Sequence, residues 1–169
     1  MKIGIISDTH GFLDDKVFHY FKDVNEIWHA GDIGNMEVLD QLKEFKNTIA
    51  VYGNIDGGKL RKECSEGEIF ERGGVRVLIT HIAAKPPKYN KTVIGYINEY
   101  KPDILVCGHS HILKVMPDKQ NGLLFMNPGA AGRHGFHKVR TLLRFDILDG
   151  RAQNLEVIEL GPRSERMEK

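Results

Sequence analysis

The chain has 169 residues, the length of one compact domain, and can bury a core without disulfides or a structural metal. Hydrophobic residues at 41% and charged residues at 28% lie near globular averages, which excludes disorder, a collagen repeat and a coiled coil. Lys+Arg 24 against Asp+Glu 23 leaves a net charge of +1, a balance that disfavours a protein living on long nucleic acid.

Lys2–Ser7 (KIGIIS) reads as a buried strand, and Asp8 cuts the apolar run too short for a signal-peptide core or a membrane span. Asp14–Asp23 has helical spacing through Val17, Phe18 and Phe21. Glu26–His29 is a second strand. Asn35 then caps a helix to about Phe45, with Met36, Leu39, Leu42 and Phe45 on one face. Thr48–Tyr52 is a third strand, and this alternation implies a parallel sheet. Glu68–Arg72 and Val75–Thr80 flank Gly73-Gly74 as a hairpin. Pro86-Pro87 breaks the chain before a helix near Tyr89–Tyr100, followed by a strand at Asp103–Cys107. The last third is mostly β: Ile112–Met116, Leu123–Met126, Val139–Ile147 and Arg151–Leu160, with a final turn at Asp149-Gly150. Residues 1–160 therefore read as a single α/β domain of two sheets packed face to face with helices outside. The charged tail 161–169 (GPRSERMEK) is expected to fray. Cys64 and Cys107 are too few and too scattered for a disulfide framework, which points to reduced thiols and a cytoplasmic location.

The 18 glycines and 8 histidines are the two features out of line. Five polar clusters, each just after an apolar strand, gather many of them: Asp8-Thr9-His10, Gly31-Asp32, Gly53-Asn54, His81 and Gly108-His109-Ser110-His111. In open α/β sheets ligands collect beyond the carboxyl ends of strands, so neighbouring strands would bring these clusters to one rim. Each motif alone is common by chance; their conjunction in this order is the informative signal.

With those residues in that order the sequence resembles the calcineurin-like metallophosphoesterases, in their small single-domain branch of bacterial phosphodiesterases and Vps29-like proteins. The resemblance runs from Lys2 to about Ile147. It implies a four-layer αββα sandwich and two divalent metal ions. Asp8, His10, Asp32 and His111 would hold one ion, and Asp32, Asn54, His81 and His109 the other, with Asp32 shared. Imidazole and carboxylate donors without thiolates suit Mn²⁺ first, with Fe, Zn²⁺ or Ni²⁺ as alternatives. Two dications about 3.5–4 Å apart can share a hydroxide for in-line attack on phosphorus. The implied catalytic set is Asp32, Asn54 and His109, and a small phosphodiester or nucleotide-like substrate follows. A phosphomonoesterase and a Vps29-like scaffold with little turnover are the alternatives, and the sequence leaves a homo-oligomer open.

One position departs from that pattern. Many relatives carry a histidine after the Gly-Asn pair, near the leaving-group oxygen, where this chain has Ile55. Isoleucine cannot donate a proton, so esters with acidic leaving groups are expected to react fastest. Asp56 is expected to orient a ligand or form a turn rather than replace the acid. His29, inside an apolar strand, is expected to support the site rather than ligate, and His19 to be structural. The segment 127–138 (NPGAAGRHGFHK) offers Arg133 and His134 as contacts to a substrate phosphate.

Overall fold

The computed structural model describes residues 1–164; residues 165–169 of the expected charged tail lie outside them. Two five-stranded mixed sheets form the body. In the first, β1 (Lys2–Ile6), β2 (Glu26–His29) and β3 (Asn47–Ala50) run parallel. β11 (Val139–Leu148) and β12 (Arg151–Pro162) extend that sheet antiparallel beside β1. In the second, β5 (Val75–Thr80), β8 (Ile104–Val106) and β10 (Leu123–Pro128) are parallel, edged by antiparallel β4 (Gly67–Arg72) and β9 (Leu113–Asp118).

Side chains alternate across each strand, so two-sided burial produces the unbroken apolar runs of the sequence. Ile3, Ile5, Trp28, Val77, Ile79, Val106, Met126 and Phe145 pack between the sheets. Ile6, Ile27 and Leu142 face outward from the first sheet onto α1 (Asp15–Tyr20), α2 (Met36–Phe45) and α3 (Gly58–Glu63), through Val17, Leu39, Leu42 and Leu60. Leu78, Leu105 and Phe125 leave the opposite face of the second sheet to meet Val93 and Ile97 of α4 (Lys91–Tyr100). The architecture is the four-layer αββα sandwich that the sequence implied. Trp28 sits at its centre, edge-on to Phe70 and Phe145, with its indole N–H donating to buried Glu26 at 2.7 Å. Arg72 closes the arrangement with an ion pair to Glu26 at 3.0 Å, so that carboxylate is not left unpaired in the core.

Several boundaries differ from the sequence reading. The first helix is shorter: Asp14 is its cap, accepting from the Lys16 N–H, and the helical residues end at Tyr20. The short helix α3 has no counterpart in the sequence reading: Gly57-Gly58 opens it and Leu60 alone is buried, leaving no periodicity to detect. Pro86-Pro87 sits in a small hairpin of β6 (Ala84–Lys85) and β7 (Lys88–Tyr89), so the next helix starts at Lys91, capped by Asn90. Gly161 and Pro162 do not fray: they pair with Arg140 and Val139 as the end of β12. Among the described residues no helix is long and apolar enough to cross a membrane.

Candidate metal centre

The parallel strands put the loops after β1, β2, β3, β5 and β8 at one rim, and backbone hydrogen bonds zip those loops together. Asp8 and His10 donate to Gly31 and Asp32 at 3.0 Å each, and Gly108 donates to His81 at 3.0 Å. Five prospective donor residues, Asp8, His10, Asp32, His109 and His111, hold left-handed backbone with φ between 47° and 67°. That conformation is costly for residues with a Cβ and persists only where surrounding contacts over-determine it, a pattern that concentrates at functional sites. Glycines permit the close approach. A Cβ at Gly108 would lie 2.0 Å from Ser7 Oγ, and one at Gly53 would lie 2.0 Å from Asp32 Oδ1.

Two groups of donor atoms result, Asp8 with His10 and His111, and Asp32 with His81 and His109, each within 4.8 Å of one another. Asp8 Oδ1 is 3.2 Å from His111 Nε2 and 3.9 Å from His10 Nε2. Asp32 Oδ2 is 3.2 Å from His81 Nε2 and 3.6 Å from His10 Nε2, so it reaches both groups. Asn54 Oδ1 completes the second group, 3.1 Å from His81 Nε2 and 3.0 Å from His109 Nδ1.

The hydrogen bonds behind these donors test whether a cation fits. His81 Nδ1 faces the Ala30 carbonyl at 2.7 Å and so carries a proton, which in the neutral ring leaves Nε2 as a lone pair facing oxygens of Asp32 and Asn54. On the other side His137 Nε2 faces the Gly132 carbonyl at 2.9 Å, so its Nδ1 accepts from His111 Nδ1 at 3.3 Å. His111 Nε2 is then also a lone pair, aimed at a carboxylate oxygen. Lone pairs facing oxygens repel one another unless a proton or a cation lies between them. Asp8 Oδ2 is satisfied by Ser7 Oγ at 2.7 Å and the His109 N–H at 3.1 Å, but Asp8 Oδ1 and His10 Nε2 are buried with no partner among the described residues. Orphaned buried polar atoms of this kind call for an ion or water, and the donor chemistry suits a borderline divalent cation. The thiols stand apart: burial pushes Cys107 up to about 12 and Cys64 up to about 11, so neither supplies a thiolate.

Charge follows the same geometry. Burial favours a neutral ring at His10 and lowers its pKa, despite the raising influence of Asp32 and Asp8. Burial acts the same way at His81, but the hydrogen bond that a protonated Nε2 gives Asp32, with the charges of Asp8 and Asp32, outweighs it and raises the pKa; reciprocally, the Asp32 carboxyl is held below its usual value against its own burial.

Residues 1–150 match the family model of the calcineurin-like phosphoesterase superfamily domain. The chain belongs to that superfamily. A probable metallophosphoesterase of Methanocaldococcus jannaschii is 32% identical over 136 residues, covering 77% of this chain and 68% of the relative. A phosphodiesterase of the same organism is 30% identical over 146 residues, covering 76% of this chain and 83% of the relative. Among solved structures an archaeal phosphodiesterase superposes with a TM-score of 0.75 at 25% identity, covering 95% of this chain and 100% of that one. Vps29 of Chaetomium thermophilum shares the fold with a TM-score of 0.74 at 16% identity, covering 95% and 97%.

In this calcineurin-like phosphoesterase the donors open onto a cavity of about 270 Å³ that also touches His134, Ile55 and Phe136. His134 packs against His10 with ring centroids 4.8 Å apart and ring planes tilted by 39°. Arg133 does not join it: its guanidinium lies 4.2 Å over the Phe12 ring and lines a separate depression with Asp14 and Arg140. A single loop bearing cations and glycines offered Arg133 and His134 together as phosphate contacts; their side chains line different hollows.

Asp56 ties the loops together. Its carboxylate accepts the Ile33 and Gly53 N–H groups at 2.9 Å and that of Gly34 at 2.8 Å, joining the loops that carry Asp32 and Asn54. His29 supports from below: its Nδ1 accepts from the Gly31 N–H and its Nε2 donates to Thr9 Oγ1 at 3.0 Å. Complete burial pushes its pKa down to about 4, so the ring stays neutral. His137 is the positioning residue that sequence reasoning did not assign. Its distance of 26 residues from His111 gives no local signal.

Proposed function

We propose that the chain is a phosphodiesterase acting on a small phosphodiester or nucleotide-like substrate with two divalent cations, manganese foremost. The observation that carries this reading is the pair of adjoining donor groups with Asp32 reaching both, in which buried Asp8 Oδ1 and His10 Nε2 are left unpartnered. Asp8, His10 and His111 would hold one ion and Asn54, His81 and His109 the other, with Asp32 shared. Cations held there supply Lewis acidity, offsetting the charge of a phosphate ester and acidifying water toward neutrality.

The chain's own groups do the rest. Ala30 and His137 fix the tautomers of His81 and His111, aiming Nε2 inward. Asn54 turns its carbonyl oxygen to the histidines, which leaves its amide N–H₂ for a phosphoryl oxygen. His134, on the cavity wall, offers a further contact to the substrate. The diester preference draws support from the phosphodiesterase relative. The Vps29 likeness, at 16% identity, speaks only to the fold.

The test is hydrolysis of bis- and mono-p-nitrophenyl phosphate by the purified protein with and without Mn²⁺, beside His109→Ala and with metal stoichiometry measured by calorimetry. The expected outcome is Mn²⁺-dependent turnover favouring the diester, two ions per chain, and loss of turnover in the variant. Hydrolysis indifferent to Mn²⁺, or unchanged in His109→Ala, overturns the reading.

A further inference from the structure

The most exposed large apolar side chains among the described residues stand close in the chain to candidate metal donors or to His134. Among the described residues the three most exposed are Phe136 at 103%, Ile112 at 64% and Ile55 at 50%. Ile55 follows Asn54, Ile112 follows His111, and Phe136 lies two residues beyond His134. A lone exposed apolar residue needs no explanation, but a cluster around one concave site marks a binding surface. Ile55 and Phe136 also line the cavity itself. The Ile55 N–H donates to Asp32 Oδ1 at 3.1 Å, which fixes that residue beside the donors. Phe136 follows Gly135, whose φ of 125° suits glycine, and a Cβ there would lie 2.2 Å from His111 Nδ1. The loop therefore passes close over His111 and delivers Phe136 to the lip.

We propose that Ile55 and Phe136 form an apolar clamp for an aromatic substituent of the phosphoester whose phosphoryl group sits at the donors. The proposal rests on the hydrolase reading for the position of phosphorus and adds the chemistry of the organic part. Neither side chain can hydrogen-bond, so a sugar or polyol pressed against them would lose hydrogen bonds to water without replacement. A flat aromatic ring loses none, gains burial, and stacks on or against the Phe136 ring. The cavity of about 270 Å³ is smaller than the about 300–1,000 Å³ of sites that enclose drug-sized ligands. It suits a phosphoryl group with one ring.

The test compares phenylphosphonate with methylphosphonate, which share an anionic head and carry a P–C bond that ester hydrolysis does not cleave. Titrated calorimetrically into the Mn²⁺-loaded protein, phenylphosphonate is expected to bind about tenfold tighter, from the added apolar burial. The ratio is expected to fall toward one in Ile55→Ser/Phe136→Ser, with each single variant between. Val157→Ser, at a residue 48% exposed that does not line the cavity, is expected to keep the ratio. Equal binding of the two phosphonates, or a preference that survives the double variant, overturns the clamp. So does a dimer, seen by light scattering, that Phe136→Ser dissociates while leaving the phosphonate ratio unmoved.

A second pair, p-nitrophenyl phenyl phosphate and p-nitrophenyl methyl phosphate, shares a leaving group and separates this proposal from the one beneath it. Phosphonate discrimination without turnover of either ester keeps the clamp and removes the hydrolase. Turnover of both esters at equal kcat/KM with no phosphonate discrimination does the reverse.

Discussion

Replacing Asp56 by alanine tests whether the metal centre depends on the bonding beneath it. The Asp56 carboxylate is 3% exposed and accepts three backbone N–H groups at 2.8–2.9 Å, from Ile33, Gly34 and Gly53. Hydrogen bonds to a charged group contribute about 1.5–3 kcal/mol each, and a buried N–H left without a partner costs about 1–3 kcal/mol. The Gly34 N–H recovers part of this from water, which brings the expected loss to about 3–5 kcal/mol. For a chain of this length that lowers Tm by about 10 °C. Because the three donors lie on the loops bearing Asp32 and Asn54, Mn²⁺ affinity is expected to fall about tenfold or more. Asp56→Asn keeps an acceptor oxygen without the charge and is expected to lose about half as much stability. The assay is urea unfolding of the chelator-treated protein, followed by Mn²⁺ calorimetry. An Asp56→Ala variant within 1 kcal/mol of the parent, at about the parent's Mn²⁺ affinity, would refute the reasoning.

Three further outcomes are expected. In Gly53→Ala the new Cβ would lie 2.0 Å from Asp32 Oδ1 and 2.3 Å from the Asp32 nitrogen, so Asp32 must shift; Mn²⁺ affinity should drop about tenfold, and an unchanged titration would remove the close-approach argument. His29 has a folded pKa of about 4 against 6.5 when unfolded, so the unfolded chain takes up the proton first. Its contribution is complete above about pH 6.5 and declines by about 3 kcal/mol as the pH falls to about 4. Metal-free His29→Gln should therefore unfold in urea with a shallower pH dependence over that window, and matching slopes would sink the assignment. Finally, with half-exposed Ile55 on the cavity wall, rates across aryl and alkyl esters should fall steeply as the leaving group becomes more basic. A flat dependence would mean that another residue, with His134 the nearest candidate on the wall, donates a proton.

The strand–helix–strand opening and the hairpin at Gly73-Gly74 were legible because periodicity and turn chemistry act over a few residues. Strand ends were legible too, and with them the five polar clusters, since a buried strand must pass to polar, glycine-bearing backbone where it leaves the sheet. What the tertiary structure decided was everything that depends on long-range approach. The Asp8 carboxylate is held by a backbone N–H 101 residues away, and His111 is oriented by a ring 26 residues away. Neither contact leaves a trace in local pattern. The same holds for Asp56, whose sequence neighbourhood reads as a turn while its carboxylate clasps two loops, and for Arg133, which shares a cation-bearing loop with His134 but lines a different hollow. Composition and order determined an α/β sandwich with donors at its strand ends. The packing of the sheets determined which lone pairs face one another, because that depends on ångström-scale positions set by the whole core.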